Sequence, residues 1–230
     1  MIAQIARMQS VYSAVLSVIL LTNCAPASPV SADAGAVDGA TDASPRGARV
    51  FASRVVRFEP GEGAGFGQSR MPDIVLGAPR GAGDLRGGTD VVSLGRGGQI
   101  CLSFEPSVIV DGEGPDLIVF ENPFIVSGSP EAYVELGEVS VSEDGVQFVS
   151  FACDRQPPYR GCAGVTPVYS HPDNSLDPTD SRYAGGDALD LREVGLRRAR
   201  VVCVRDLATR ALSPPSSGFD LDAIAAIHSE

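Results

Sequence analysis

The chain of 230 residues carries 29 acidic and 18 basic side chains, which gives a formal net charge of −11 at pH 7. Nucleic acid and anionic lipid surfaces are therefore poor partners, because both repel an acidic protein. The 26 glycines and 17 prolines favour a fold with many turns.

The first 23 residues predict a lipoprotein signal peptide. Arg7 precedes an uncharged apolar run at 11–21, which is shorter than the roughly 20 residues that a bilayer-spanning helix needs. The ending Leu21-Thr22-Asn23-Cys24 resembles the bacterial lipobox, in which the cysteine is lipidated and becomes the first residue of the mature protein. We therefore expect Cys24 to carry a lipid anchor. The alternative is an ordinary signal peptide that is cleaved nearby, which would leave Cys24 as an unpaired thiol.

Residues 24–47 predict a disordered tether. They are mostly Ala, Ser, Asp, Pro and Gly, which cannot bury a hydrophobic core. Ala25 gives no aspartate signal for retention in the inner membrane, so we expect placement at the outer membrane or the cell surface. Residues 48–230 are then enough for one domain with its own core.

The folded part alternates short apolar runs with turn residues. In chain order the runs are RVFASRVVRFEP, DVVSLG, GQICLSFE, DLIVFEN, GEVSVSEDGVQFVSF, ARVVCVRDL and FDLDAIAAIH. This spacing predicts an all-β fold, a single β-sandwich. Asp144-Gly145 predicts a tight hairpin turn. One short helix is expected in GGDALDLREVGLRRA, capped by Asp187 and ended by Gly195.

The stretch DGEGPDLIVFEN, residues 111–122, combines acids, turn residues and an apolar run. An EF-hand loop has glycine at its sixth position, and Asp116 stands there instead, so this kind of calcium loop is excluded. DGEGP is typical of a turn. The strand expected over 116–120 is apolar on both faces, which predicts a central position with Glu121 at its end.

Four cysteines follow Cys24, and an even number in an exported chain predicts two disulfides. Cys153 and Cys162 flank a proline-rich loop and are expected to pair locally. The alternation around Cys101 and Cys203 places both on the outer face of their strands, so a cross-strand bridge is expected. A zinc site is the rival, but the chain has no C-x-x-C and only two histidines.

A carboxylate at the end of a buried strand needs a partner, since an unpaired buried charge is too costly to keep. Glu121 could meet an arginine, or it could share a cation with Asp220 and Asp222. Those two occupy positions i and i+2 of the last strand, so they would project from one face about 7 Å apart. Glu135 is a further candidate ligand. Calcium is the expected ion, because the ligands are oxygens; the alternatives are arginine ion pairs and acids that face water.

Seven stretches together resemble a large family of uncharacterised bacterial secreted or lipid-anchored cell surface proteins, common in myxobacteria. They are PDIVLGAPRG, VVSLGRGGQICLSF, VDGEGPDLIVFENPF, GEVSVSEDGVQF, GGDALDLREVGL, ARVVCVRDL and GFDLDAIAAIH. Leu189 stands where the family pattern has phenylalanine. The resemblance implies a β-jelly-roll of the galactose-binding or discoidin kind, and it brings no catalytic residues with it.

Three functions fit these features. The first is a lipid-anchored surface module that binds a glycan through Tyr159 and Tyr169, although the chain has no tryptophan. The second is a surface-coat or adhesion protein that binds another protein. The third is a two-carboxylate glycoside hydrolase. Because no G-x-S-x-G or H-E-x-x-H motif is present, and only His171 beside Asp173 suggests a catalytic dyad, a binding or structural module is expected rather than an enzyme. His228 is expected to lie in a frayed end.

Overall fold

The computed structural model describes residues 50–128 and 131–230. The predicted signal peptide, Cys24 and the tether lie outside these residues. Across the described residues, no helix has the length and apolar character needed to cross a bilayer.

The described residues form short strands joined by long loops. The strands are β1 (Arg54–Glu59), β2 (Val92–Ser93), β3 (Gln99–Ser103), β4 (Ile109–Val110), β5 (Leu117–Phe120), β6 (Phe124–Ile125), β7 (Ala132–Tyr133), β8 (Gly137–Ser142), β9 (Val149–Ser150), β10 (Asp187–Leu189), β11 (Arg198–Ala199), β12 (Val201–Asp206), β13 (Asp220–Leu221) and β14 (Ala223–Ala226). Short 3₁₀ helices occupy Gln68–Arg70, Asp73–Val75 and Leu191–Val194.

The larger sheet has five antiparallel strands in the order β1-β3-β12-β8-β9. On β12, Cys203 lies opposite Cys101 of β3 and Ser140 of β8. Val202 and Val204 enter the core, whereas Cys203 between them lies on the outer face with Cys101. The alternation of side chains along a strand therefore produces the outward cysteines that the sequence predicts.

The smaller sheet has the antiparallel order β10-β5-β14. All four residues of the central strand β5 are buried, as predicted. Leu117 and Val119 belong to the main core, whereas Ile118 and Phe120 pack with Val168 on the opposite face. A sheet covered on both faces explains why this strand is apolar throughout.

The main core lies between the two sheets and confirms the prediction of an all-β sandwich. The larger sheet contributes Ile100, Leu102, Val139, Val141, Val202 and Val204, and the smaller contributes Leu117, Val119, Leu189, Ile224 and Ala226. Each large aliphatic side chain buried here stabilises the fold by roughly 1.5–3 kcal/mol. The jelly-roll topology that the family resemblance implies stays a prediction.

Both disulfides have the predicted pairing, Cys101 with Cys203 and Cys153 with Cys162. The paired cysteines are 102 and 9 residues apart along the chain. In the chain-entropy account of the unfolded state, loops of these lengths correspond to roughly 4 to 5 and roughly 3 kcal/mol of stabilisation. The longer link also joins the two adjacent strands β3 and β12.

The hairpin between β8 and β9 differs from the tight turn that Asp144-Gly145 predicts. Residues 143–148 form its loop. The Asp144 carboxylate accepts hydrogen bonds from the backbone N–H groups of Val146 and Gln147, both at 2.8 Å. A side chain that accepts from the following backbone closes this loop without a two-residue turn.

The short helix begins later than predicted. Asp187 lies on β10, and its carboxylate accepts hydrogen bonds from the backbone of a neighbouring loop. The helical part is the four-residue 3₁₀ helix Leu191–Val194, whose N-terminal cap is Asp190. Gly195 ends it with a φ of 71°, as the sequence predicts.

Candidate metal centre

Three buried carboxylates meet at the end of the smaller sheet. Glu121 directly follows β5, Asp220 begins β13, and Glu135 lies between β7 and β8. One carboxylate oxygen from each lies within 4.8 Å of those of the other two. Glu121 is 1% exposed, and Glu135 and Asp220 are each 6% exposed. We call this group the carboxylate trio.

The backbone around the trio is closely packed. The N–H of Asp220 donates to Glu121 Oε1 at 3.4 Å, which links the end of β5 to the start of β13. Gly164 lies against the segment that carries Glu135: a Cβ there would be 2.1 Å from the Glu135 carbonyl oxygen. The φ of Gly164 is +86°, so glycine is required here for both space and conformation.

Two oxygens of the trio have no hydrogen-bond partner, Glu121 Oε2 and Asp220 Oδ1. None of the ion pairs formed within residues 50–128 and 131–230 includes a member of the trio. The alternative in which an arginine neutralises Glu121 through an ion pair is therefore wrong for the described residues. Buried polar atoms normally have partners, so these two oxygens point to a missing one.

The environment of the trio favours proton or cation binding. Burial raises the pKa of Glu121 well above its usual range, and the charges of Asp220 and Glu135 raise it further. Burial, followed by the charges of Asp220 and Asp206, raises the pKa of Glu135 to about 8. Burial also raises the pKa of Asp220. Three carboxylates in one buried space cannot all stay ionised unless a cation compensates them.

The side chains around Asp220 add neutral oxygen atoms that sequence reasoning missed. Ser216 Oγ donates to Asp220 Oδ2 at 2.9 Å. The nearby polar side chains of Ser93 and Asn122 also oppose the rise in the pKa of Asp220, while they donate hydrogen bonds to the carbonyl oxygens of Ser217 and Gly88. Asn122 adjoins Glu121 in the sequence and could have been included on that ground. Ser93 and Ser216 lie far from it along the chain and carry no such signal.

The chemistry of this group fits a hard cation. All of its ligand atoms are oxygens, and a trio that binds in bidentate fashion would offer up to about six of the six to eight oxygens that calcium takes. Zinc instead favours sulfur and nitrogen ligands, and neither a cysteine nor a histidine belongs to the trio.

Asp222 does not join the trio, contrary to the prediction. It is 4% exposed, and its Oδ2 accepts a hydrogen bond from the backbone N–H of Arg80 at 2.7 Å. The prediction assumed one continuous strand. Instead, Asp220 pairs with β2, and pairing with β5 begins at Ala223, so the chain changes partner at Asp222. The alternative in which Asp220 and Asp222 face water is also wrong, because both are buried.

The two candidate ligand-binding tyrosines lie in different places. Tyr159 lines a cleft of about 640 Å³ beside the loop that the Cys153–Cys162 disulfide closes. Tyr169 is 41% exposed in a segment whose backbone bonds to Ala184, and it does not line that cleft. The cleft that contains Tyr159 therefore does not include Tyr169, and ligand binding by either tyrosine stays a prediction.

A second acidic group consists of Asp111, Asp116 and Asp190; we call it the Asp116 group. Asp116 is fully buried. Its Oδ1 accepts from the backbone N–H of Gly112 at 2.7 Å, and its Oδ2 accepts from that of Leu191 at 2.8 Å. The acid therefore holds the DGEGP turn against the 3₁₀ helix, which makes this stretch a structural turn.

His228 belongs to the same neighbourhood and is not frayed, contrary to the prediction. Its Nδ1 lies 2.9 Å from Asp116 Oδ1, and its carbonyl oxygen accepts from the N–H of Val110 at 3.1 Å. The other histidine, His171, accepts a backbone hydrogen bond from Asp173 at Nδ1 and lies 3.5 Å from the carboxylate of that residue. That contact is local to one loop.

Comparison with known proteins finds no match to a protein-family model and no match to a curated protein sequence. The resemblance to bacterial cell surface proteins therefore stays a prediction. The proposal for function starts from the carboxylate trio and its surroundings.

Proposed function

We propose that this chain is an exported, lipid-anchored binding or structural module of the cell surface, and that calcium held by the carboxylate trio stabilises it. The observation that carries the proposal is the pair of unpartnered oxygens, Glu121 Oε2 and Asp220 Oδ1, in a buried group of three acids. A divalent cation would partner both oxygens and neutralise most of the charge.

Calcium is the ion that the surroundings favour. The ligands are carboxylate and neutral oxygens, and calcium accepts such sets in flexible geometry, whereas magnesium demands a near-ideal octahedron. Two disulfides are typical of proteins that fold outside the reducing cytoplasm. Three parts of the proposal rest on the first 25 residues alone: export, lipidation of Cys24, and placement at the outer membrane or cell surface.

The burial of the trio fits a binding or structural module better than a hydrolase. The trio residues are at most 6% exposed, so a saccharide cannot reach their carboxylates as it would in a glycosidase cleft. The partner of the module is a glycan or another surface protein. The role of the cation is then structural: it holds the end of β5 and the start of β13 against the segment that contains Glu135.

The test is thermal unfolding of the purified protein in calcium chloride and in EGTA. Calcium at one hundred times its dissociation constant should stabilise the protein by about 2.7 kcal/mol. The double variant Glu121→Gln, Asp220→Asn should unfold at the same temperature in both buffers. Asp222→Asn is the matched control, because this buried acid lies outside the trio, and it should keep the calcium response. An unchanged melting temperature of the unmodified protein in the two buffers would refute the cation site.

A further inference from the structure

A cleft of about 640 Å³ lies beside the carboxylate trio, between the disulfide-closed loop and the segment that carries Glu135. Its walls combine apolar and aromatic side chains, among them Val134, Leu136, Val165 and Tyr159, with three charged ones, Glu131, Arg155 and Arg210. Concave sites of this size with an apolar floor and a few polar groups are typical of small-ligand sites.

The floor of the cleft is firmly held. Val134 and Leu136 pack in one cluster with Cys162, and Tyr159 and Val165 lie against that cluster. The disulfide to Cys162 restrains the loop that supplies Tyr159. This tyrosine has a φ of 60°, a left-handed conformation that is uncommon for a residue with a side chain. Such a backbone persists where the surroundings enforce it, which is common at binding sites.

Two arginines lie on the same cleft, Arg155 and Arg210. Arg210 is fixed in place: its Nε donates to the Val134 carbonyl oxygen at 2.8 Å, and its guanidinium lies 4.5 Å from the centre of the Tyr133 ring. The positive charge of Arg210 also opposes the rise in the pKa of Glu135, so this guanidinium lies within electrostatic reach of the trio. The lining carries two guanidinium groups against one carboxylate, that of Glu131, so the cleft is net cationic in a chain with 29 acids.

We propose that this cleft binds the uronic acid unit of an acidic glycan. The guanidinium groups of Arg155 and Arg210 take the carboxylate, because the planar fork of arginine matches the two oxygens of a carboxylate. The sugar ring lies on Tyr159 and the aliphatic floor. Thr209, also on the cleft, accepts from the N–H of Leu136 at 3.3 Å, so its own hydroxyl proton is left for a ring oxygen. The cleft is a compact cavity made largely by loops, which suits one or two rings better than an extended peptide.

The cleft and the carboxylate trio share one wall. Val134 and Leu136 line the cleft, and Glu135 between them belongs to the trio. Because successive side chains of an extended segment point to opposite sides, a cation on Glu135 would fix the positions of both neighbours. This coupling rests on the proposed function, whereas the cleft itself does not. Calcium should therefore tighten uronate binding, and uronate should tighten calcium binding by the same factor.

The test is isothermal titration calorimetry of the purified chain with glucuronate and galacturonate, with glucose and galactose as neutral counterparts, in calcium chloride and in EGTA. Both uronates should bind, and each neutral sugar should bind at least about tenfold more weakly. Arg155→Ala should weaken uronate binding by at least about tenfold. Arg160→Ala is the matched control, because Arg160 lies in the same disulfide loop but does not line the cleft, and it should have no effect.

Each outcome separates this inference from the proposed function. Uronate binding of equal strength in calcium and in EGTA supports the cleft as a uronate site and refutes its coupling to a cation. No uronate binding in either buffer overturns the cleft, even where calcium raises the melting temperature. Equal weakening by Arg155→Ala and Arg160→Ala also overturns it, because the effect is then nonspecific. Binding of a short acidic peptide without binding of either uronate shows that the ligand class is wrong.

Discussion

The carboxylate trio and the Asp116 group contain the same kinds of residue, yet their oxygens meet different surroundings. In the Asp116 group, both oxygens of the buried acid accept backbone hydrogen bonds, and Asp111 lies 3.6 Å from Arg192. In the trio, Glu121 Oε2 and Asp220 Oδ1 have no partner. Both groups bring three acids together. Asp111 Oδ1 also lacks a hydrogen-bond partner, but the Arg192 guanidinium faces it, whereas none of the ion pairs within the described residues reaches the trio.

Proximity of acids alone therefore does not identify a cation site. A carboxylate that accepts hydrogen bonds from backbone N–H groups is part of the hydrogen-bond network of the fold. Removing it leaves those N–H groups without an acceptor. A carboxylate that lacks donors and sits among other acids is stable only when it takes a proton or a cation. The two groups should consequently respond differently to mutation and to calcium.

The largest effect is expected from Asp116→Ala. The change leaves the backbone N–H groups of Gly112 and Leu191 without their acceptor, and each stranded buried donor costs about 1–3 kcal/mol. We expect the free energy of unfolding to fall by about 3 to 5 kcal/mol, measured by urea denaturation. The loss should be the same in calcium and in EGTA. A loss confined to calcium buffer would mean that the Asp116 group also holds a cation.

The pH dependence of stability should depend on calcium. The pKa of Glu135 rises on folding from its usual 4.5 to about 8, so the folded state binds more protons than the unfolded state within that range. The calcium-free protein should therefore lose stability as the pH rises from about 4.5 to about 8. Calcium should reduce this slope, because it replaces the protons.

Asp222 provides an internal control for that pH measurement. Burial raises its pKa to about 8 as well, but it lies outside the trio. Asp222→Asn should reduce the slope equally in calcium and in EGTA, and melting curves at a series of pH values measure both. A slope that calcium leaves unaltered in the unmodified protein would contradict cation binding by the trio.

The smallest effect, but of opposite sign, is expected from Glu121→Gln in EGTA. Removing one of three mutually repelling acids should raise the free energy of unfolding by up to about 1 kcal/mol at pH 8. The same variant should lose the stabilisation by calcium. Asp111→Asn is the comparison from the other group and should leave both quantities unchanged. A strong loss of stability for Glu121→Gln in EGTA would show that Glu121 Oε2 accepts a hydrogen bond and is not the unpartnered oxygen described above.

The features that follow from side-chain alternation could be predicted from the sequence. The apolar run of β5 indicated burial on both faces, and the valines beside Cys203 indicated an outward cysteine that could meet Cys101. Glu121 could be proposed because it ends this apolar run, and Asp220 because alternation placed it with Asp222 on one strand face. Glu135 was a further candidate ligand. These inferences need only the direction of a side chain on a regular strand.

The wrong predictions concern places where the chain departs from a regular strand or helix. Asp222 was placed beside Asp220 by strand alternation, but the chain changes pairing partner there. Asp187 was predicted to cap a helix, and it instead accepts hydrogen bonds from a loop about twenty residues earlier in the chain. Hydrogen bonds between segments distant in the sequence determine the positions of both residues, and the local sequence does not reveal these bonds.

The first described residues attach to both sheets in succession. Ala52 donates to the Ile224 carbonyl and Val50 accepts from Ala226, both on β14, and the chain then enters β1, which pairs with β3. If the domain is held at its N-terminal side, as a lipid anchor implies, drag on the cell surface would pull on this segment first. The load would pass at once into the smaller sheet through β14 and into the larger sheet through β3. Under such a load the segment would bear tension well, because both sheets would resist before either separates.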